Sequence, residues 1–386
     1  MSLRVAGSLF CLLLGLVPAG GEESIPRLLA DIDAVKAQGV GSAAARKAWD
    51  QLVSQGPAVL PALLGAMDTD DTVVANWLRT AFDRIVESER KKNAGKSLDI
   101  QKFLTFVGNP RHSGRARRLA LEVVEQLRPG TRSRLLAGWV GDPEFSYDAI
   151  AYRLDRLARD PSASPEHKRA VLERLFPATR DLQQSRKVAR QLAELGVVVS
   201  VADHLGFLRD WYVIGPFAGR MQKGFAFAYP PERGVDLQAK YQGKEGKTLS
   251  WKRFTVKETP GGRFPALVDL REAISDTRDC VGYAYTAFRV TKKGKTLPTV
   301  EFRGAGDDNL SLWVNGKKVF AFEEYENGVR LDRYRIRVPL REGINRVLVK
   351  IVQAPVDPVN PAPNWEFILR ITDASGKGLT FPGALP

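Results

Sequence analysis

The sequence predicts a multidomain protein, α then β: an α-solenoid built from helical hairpins, followed by an antiparallel β-sandwich. Three observations carry this expectation. From Ile25 to Leu205 apolar residues recur at three- and four-residue spacing, with no strand-like alternation. Gly304–Val352 instead alternates around an Asn315-Gly316 pair, a two-residue loop that tolerates positive φ at both central positions and matches the twist of flanking strands. Between them, FLRDWYVIGPF (Phe207–Phe217) replaces helical stripes with glycine, proline, aromatics and short β-prone runs. The expected division is a leader at 1–21, helices at 22–206 and the sandwich at 207–386, with 207–260 supplying its opening strands and loops.

The leader has three parts: Arg4, an apolar run from Val5 to Val17, and small residues at Ala19-Gly20-Gly21. This is the pattern of a secretory signal peptide, with cleavage after Ala19 or Gly21. The run is shorter than the roughly 20 residues a membrane span needs, and no later segment approaches that length. The expectation is an exported protein, periplasmic or extracellular, with no transmembrane segment in the mature chain. Removing the leader takes Cys11 with it and leaves Cys280 alone, so no internal disulfide can form. Beside Val281 and Tyr283, Cys280 reads as a buried small apolar residue.

Hydrophobic content of 44% and charged content of 26% describe a folded chain, not a disordered one. The net charge of +14 is uneven: residues 22–206 carry 28 basic against 24 acidic side chains, or +4, and residues 207–386 carry 29 against 20, or +9. An exported chain rarely meets nucleic acid, so the expected counterparts of this charge are anionic polysaccharide, lipid head groups or acidic envelope proteins. The alternative is a solvated basic surface that binds nothing.

The clearest helical unit runs from Gly56 to Ile85. Val59, Leu60, Leu63, Leu64 and Met67 form one stripe, Asp68-Thr69-Asp70-Asp71 offers turn and N-cap residues, and Val73, Val74, Trp77, Leu78, Ala81, Phe82 and Ile85 form a second. PAVLPALLGAMDTDDTVVANWLRTAFDRIV, with Pro61 in the first helix, resembles a HEAT repeat. One repeat cannot bury its own stripe, so flanking hairpins are expected at Ala30–Gln55, Gln101–Leu127, Thr131–Arg159 and Glu166–Leu195. Arg111, Arg115, Arg117, Arg118, Arg128, Arg132 and Arg134 read as an anion-docking face or as solvated helix exterior.

In the β half, register around Asn315-Gly316 sets Val314 opposite Lys317, Trp313 opposite Lys318, Leu312 opposite Val319 and Ser311 opposite Phe320. Leu310, Leu312, Val319 and Ala321 would then share one face and Trp313, Phe320 and Phe322 the other. That aromatic face is either covered or a platform for the apolar face of a sugar. Arg333, Arg335, Arg337 and Arg341 alternate with Tyr334, Ile336, Val338 and Leu340, so they form a row suited to paired carboxylates or sulfates, or one that discourages edge pairing. Asp307, Asp308 and Asn309 are either partial oxygen ligands for calcium or turn formers. Trp365 follows the stiff Asn360–Asn364 loop and begins a strand with Phe367, Leu369 and Ile371 on its face; it is a secondary ligand-binding candidate.

The run GAGDDNLSLWVNGKKVF, with a later GINRVLVKI, resembles the galactose-binding-like jelly-roll modules, among them carbohydrate-binding modules appended to glycoside hydrolases. DWYVIGPF, GFAFAYPPE and LSWKRF resemble the opening of a C-terminal module common in exported planctomycete proteins that pair HEAT-like helices with such a sandwich. These resemblances imply an architecture and a carbohydrate-binding role, not a reaction.

No catalytic signature accompanies them. His112, His167 and His204 stand far apart, without HExxH spacing, and there is no GxSxG elbow. Gly246-Lys247-Thr248 mimics the end of a phosphate loop, but Tyr241 stands where that loop needs glycine. Gly304-Ala305-Gly306 leads into a strand instead of a helix, so a dinucleotide fingerprint fails. Glu301, Glu323, Glu324, Glu326 and Asp332 remain as carboxylates that folding could pair for glycoside hydrolysis. The expected function is a non-catalytic exported binding protein without cofactor or metal, whose sandwich recognises carbohydrate or another envelope component and whose helical repeats mediate protein contacts. The alternatives are a protein–protein scaffold with a purely structural sandwich, and an envelope polysaccharide hydrolase.

Overall fold

Asp71 sets the first helical pair. Its carboxylate accepts hydrogen bonds from Val73 N (2.8 Å) and Val74 N (3.2 Å), satisfying two of the free amides at a helix start. The computed structural model of the chain describes residues 23–221, 223–259, 261–291, 297–307, 309–324, 328–355 and 364–385. The leader, Asp308, Glu326 and the 360–363 part of the proline loop lie outside them. The chain divides into two compact units, Met1–Gly138 and Trp139–Pro386.

The first unit is helical: α1 (Ile25–Asp33), α2 (Ser42–Ser54), α3 (Leu60–Ala66), α4 (Thr72–Asn93), α5 (Ile100–Gly108), α6 (Gly114–Leu127) and α7 (Thr131–Leu136). Helices adjacent in sequence pair, α1 with α2, α3 with α4 and α5 with α6. The Gly56–Met67 stripe breaks into a 3-10 turn (Gly56–Val59) and α3, which puts Pro61 in a first helical turn where its missing amide costs no hydrogen bond. Both stripes are buried as expected, except that Val73 is exposed and Trp77 half-buried. The basic run is not uniformly solvent-facing. Arg117 is fully buried, and its Nε donates to the Val107 carbonyl at 2.8 Å, at the C-terminal end of α5 where a cation offsets the helix dipole.

The second unit holds α8 (Ser146–Ala158), α9 (Pro165–Leu175), α10 (Leu182–Glu194), α11 (Val201–His204) and all the strands: β1 (Asp210–Ala218), β2 (Tyr241–Gln242), β3 (Thr248–Leu249), β4 (Lys252–Thr255), β5 (Val268–Asp269), β6 (Cys280–Val290), β7 (Thr299–Asp307), β8 (Leu310–Val314), β9 (Lys317–Phe322), β10 (Tyr334–Pro339), β11 (Gly343–Gln353) and β12 (Glu366–Thr372), with the short α12 (Leu270–Ala273) after β5. A six-stranded antiparallel sheet runs β4-β1-β6-β11-β8-β9, a four-stranded one β10-β7-β12-β5, and β2 pairs β3. The two large sheets face each other across one core, in which Trp211 meets Phe367 edge-on at 5.2 Å.

That core does not stop at 206/207. Ile150, Leu172 and Val188 of the helices and Leu205 just after α11 join Trp211, Phe302 and Ile371 of the sheets in one apolar cluster. Backbone bonds stitch the junction, Leu208 N to Leu369 O and Ile371 N to Gly206 O. The switch from period 3.6 to period 2 marks a change of secondary structure; the chain divides between Gly138 and Trp139 because the later helices cover their apolar stripes on the sandwich. Cys280 is buried, as its neighbours led us to expect.

The Asn315-Gly316 turn forms with φ of 54° and 81°, but the register beyond it differs from expectation. Trp313 opposes Lys318 as anticipated, whereas Leu312 opposes Phe320 and Leu310 opposes Phe322, because the ladder slips by one residue at a bulge. One extra residue reverses every later side chain. Phe320 and Phe322 therefore share a face with Leu310 and Leu312, and Trp313 points the other way.

Candidate functional site

Two strand registers lay out the outer face of the six-stranded sheet. Tyr285 of β6 pairs with Leu348 of β11, which pairs with Trp313 of β8; one row along, Tyr283 pairs with Lys350, which pairs with Ser311. Alternation makes the other face of these strands core and leaves this one to be covered. The Gly224–Val235 segment covers the Tyr283 row. Tyr229 packs on Phe217 (5.2 Å) and Tyr283 (6.3 Å), and its hydroxyl donates to the Ala218 carbonyl.

Lys350 fastens that cover. Its ammonium is 1% exposed and donates to the carbonyls of Phe225 (2.9 Å) and Phe227 (2.7 Å) and to Glu232 Oε1 (2.7 Å). Tyr283 donates to the same carboxylate oxygen at 2.5 Å, and Lys318 approaches its other oxygen at 3.8 Å. Burial holds the Lys350 pKa below the usual lysine range, although Glu232 pulls it back up; burial, and next the Glu232 charge, push the Tyr283 hydroxyl well above its own.

The Tyr285 row is covered less completely. Pro231–Val235 on one side and the Asn315-Gly316 turn on the other wall a groove of about 320 Å³ above Tyr285, Leu348 and Trp313. It adjoins a second recess of about 460 Å³, with which it shares Val235, Tyr285 and Arg346. Trp313 is only 5% exposed and Lys318 Nζ lies 4.7 Å from its ring centroid, so it can offer a ligand little more than an edge. Arg233, Arg341 and Arg346 line the groove. Burial raises the Tyr285 hydroxyl, and the adjacent Arg346 guanidinium draws it back.

The remaining expected residues lie elsewhere. Phe320 and Phe322 sit beside Tyr334, at 4.7 and 5.4 Å, with Phe322 44% exposed and the Arg333 guanidinium 5.4 Å from the Tyr334 ring. Arg333 pairs with Glu324. Arg335 is exposed, while Arg337 Nε donates to Glu301 (3.1 Å). Two of the row's four arginines, Arg333 and Arg337, are therefore committed to carboxylates of the same sandwich.

Glu301 also takes Arg303 (2.7 Å), and Asp332 takes Arg303 (3.0 Å) and Arg370 (2.5 Å). Burial would raise both carboxyl groups, but these guanidinium partners outweigh it and hold them below the usual range. Asp307 is buried and registers with Glu366, which registers with Asp269 and pairs with Arg263. The Asn309 side chain is fully buried and spent on Val352: Oδ1 accepts from its amide at 2.9 Å and Nδ2 donates to its carbonyl at 3.5 Å. Asp308 lies outside the described residues. Trp365 is 0% exposed and donates to the Ile351 carbonyl at 3.2 Å, so its ring meets core instead of solvent.

Among the described residues no group of three or more His, Cys, Asp or Glu is placed to hold a metal ion. Of the expected residues, Trp313 and Arg341, the last of the arginine row, reach the groove. Tyr285, Arg233 and Arg346 carry no such signal; the β6–β11–β8 pairing that assembles them is invisible in local sequence.

These elements define a helical protein carrying an antiparallel β-sandwich. No protein-family model matches the chain, and no curated protein does. Among solved structures it is similar to a β-glucuronidase from an uncultured Clostridium species, at 11% identity and TM-score 0.27, over 44% of this chain and 29% of that one. A Ruminococcus gnavus β-glucuronidase matches at 12% and 0.26, over 43% and 28%. A Dictyoglomus thermophilum β-D-mannosidase matches at 15% and 0.21, over 39% and 15%. The chain thus spans under a third of the length of these enzymes. Among the described residues no helix is long and apolar enough to cross a membrane.

Proposed function

We propose that the chain is an exported, non-catalytic binding protein whose sandwich takes a carbohydrate in the groove over Tyr285, Leu348 and Trp313, while its helices contact an envelope protein. The observation that carries this reading is the groove itself: a partly covered apolar row, walled by a segment that a buried lysine holds in place, with polar and charged groups at its rim. Such convergence of a few polar groups on an apolar recess is the usual form of a small-ligand site. A non-catalytic role is supported by the arginine partners of Glu301 and Asp332, which hold these carboxyl groups below the usual range and leave them poorly suited to proton transfer.

A glycan array followed by calorimetry on the mature chain tests the proposal. Leu348→Trp should fill the groove and abolish binding while the circular dichroism spectrum stays unchanged. Retention of no saccharide at low or moderate salt would reject the reading. The scaffold reading draws on a separate feature, a cleft of about 680 Å³ in the first unit floored by Leu60, Leu64, Phe103 and Phe106. Under that reading the intact chain would capture an envelope protein and Leu64→Arg would release it.

A further inference from the structure

The groove's rim carries more positive charge than the surrounding protein neutralises. Glu232 is the carboxylate among its lining residues, and Lys350, Tyr283 and Lys318 already occupy that group. Among the described residues, none of Arg233, Arg341 and Arg346 is ion-paired with a carboxylate, and all three are exposed. Two of them are held in place through the backbone. Arg346 N donates to Asn315 Oδ1 at 3.0 Å, and Arg341 N donates to Asn345 Oδ1 at 3.0 Å.

Asn345 is fully buried and ties the two together. Its Nδ2 donates to the Arg341 carbonyl at 2.7 Å, and its Oδ1 accepts from Asn315 Nδ2 at 2.9 Å. The Arg341 side chain is further fixed by Nε donating to the Ile344 carbonyl at 2.9 Å. The amide pair thus locks the turn and the start of β11 into one frame that sets both arginines beside the same recess.

Resting on the proposal that this groove binds saccharide, we infer that its ligand is an acidic one, whose carboxylate or sulfate is held by Arg346 with Arg341 and Arg233. A planar guanidinium binds either oxyanion through two parallel N–H donors. Neighbouring like charges without a counterion repel, and an anionic ligand relieves that repulsion. The apolar floor of Leu348 and the Trp313 edge would meet the carbon skeleton of the sugar ring, which distinguishes a saccharide from a free inorganic anion. Arg335 is the natural control, because it is exposed on the other sheet and takes no part in the groove.

Calorimetry on the full mature chain, with an oligouronate, a sulfated oligosaccharide and a neutral oligosaccharide of equal length, tests the inference. The expected result is that one acidic probe binds at least about tenfold tighter than the neutral one, the scale of one charge-assisted bidentate contact. Arg346→Gln should remove that preference, Arg346→Lys should restore part of it, and Arg335→Gln should leave it intact. Raising salt from about 50 to about 300 mM should weaken the acidic probe alone, since rim charges are screened. Equal binding of neutral and acidic probes, unmoved by Arg346→Gln, would overturn the inference and leave carbohydrate binding standing. Equal binding of a single-stranded oligonucleotide would overturn it too, by showing a general polyanion surface. Failure of every saccharide would reject both readings.

Discussion

Lys350 and Glu232 meet at 2.7 Å across 118 residues of chain, joining the middle of a central strand to the segment that covers it. Both side chains are almost wholly withdrawn from water, 1% and 8% exposed. A buried pair is costly to break because it leaves one charge without a partner. Lys350→Met and Glu232→Gln should each lower unfolding stability by about 3 kcal/mol, and the double variant by less than their sum, with a coupling of about 1–3 kcal/mol. Denaturant unfolding of the four proteins gives the cycle; strict additivity would mean that the pair does not act as a unit.

Asp332 is the second such centre. It receives Arg370 Nε at 2.7 Å and Nη2 at 2.5 Å, and Arg303 Nη1 at 3.0 Å. Its φ of 54° is one that asparagine also tolerates, so Asp332→Asn removes charge without adding backbone strain. The expected loss is about 3–5 kcal/mol, the range for orphaning buried partners, read as a shift in urea midpoint. The folded pKa lies below the ordinary 3.8, so the carboxylate's contribution is present above that pH and is lost as pH falls through the depressed folded value.

His204 gives the opposite case, a base held neutral. Its Nε2 lies 2.8 Å from the Thr179 carbonyl, which only accepts, and its ring rests 4.3 Å from Phe176. Burial pulls its pKa below 6.5; the bond to Thr179 works against this, and Arg180 and Lys377 add to the lowering. In the window between the folded value and 6.5 the unfolded chain takes up a proton that the folded chain refuses. Stability from this site is complete above about pH 6.5 and falls as pH drops through that window. Urea midpoints measured from about pH 8 to about pH 5 should decline, and His204→Gln should flatten the part due to this ring.

Two glycines separate conformational from steric cost. Gly316 has φ of 81° and open space where a Cβ would stand. Gly316→Ala should cost about 1 kcal/mol through backbone strain alone. Gly282 sits against the core, and a Cβ there would come within 2.4 Å of the Trp365 ring. Gly282→Ala should cost about 1–3 kcal/mol or more through overpacking and shift Trp fluorescence, whereas Gly316→Ala should leave the emission unchanged.

What the chain settles locally is the kind of element at each place. Apolar spacing at three and four residues yields the α3–α4 pair with its Asp71 cap, and Asn315-Gly316 yields its turn, because these depend on neighbours a few residues away. Tertiary structure decided the rest. A bulge after the turn sends Phe320 and Phe322 to the face opposite Trp313, and nothing in their spacing announces the extra residue. The arginine row at 333–337 looked free because its carboxylate partners, Glu301 and Glu324, become neighbours only when strands pair and loops fold back. The groove of Tyr285, Leu348, Trp313 and Arg346 exists only once β6, β11 and β8 lie side by side. Short-range periodicity fixes secondary structure, whereas strand register and side-chain burial depend on contacts between residues far apart in the chain.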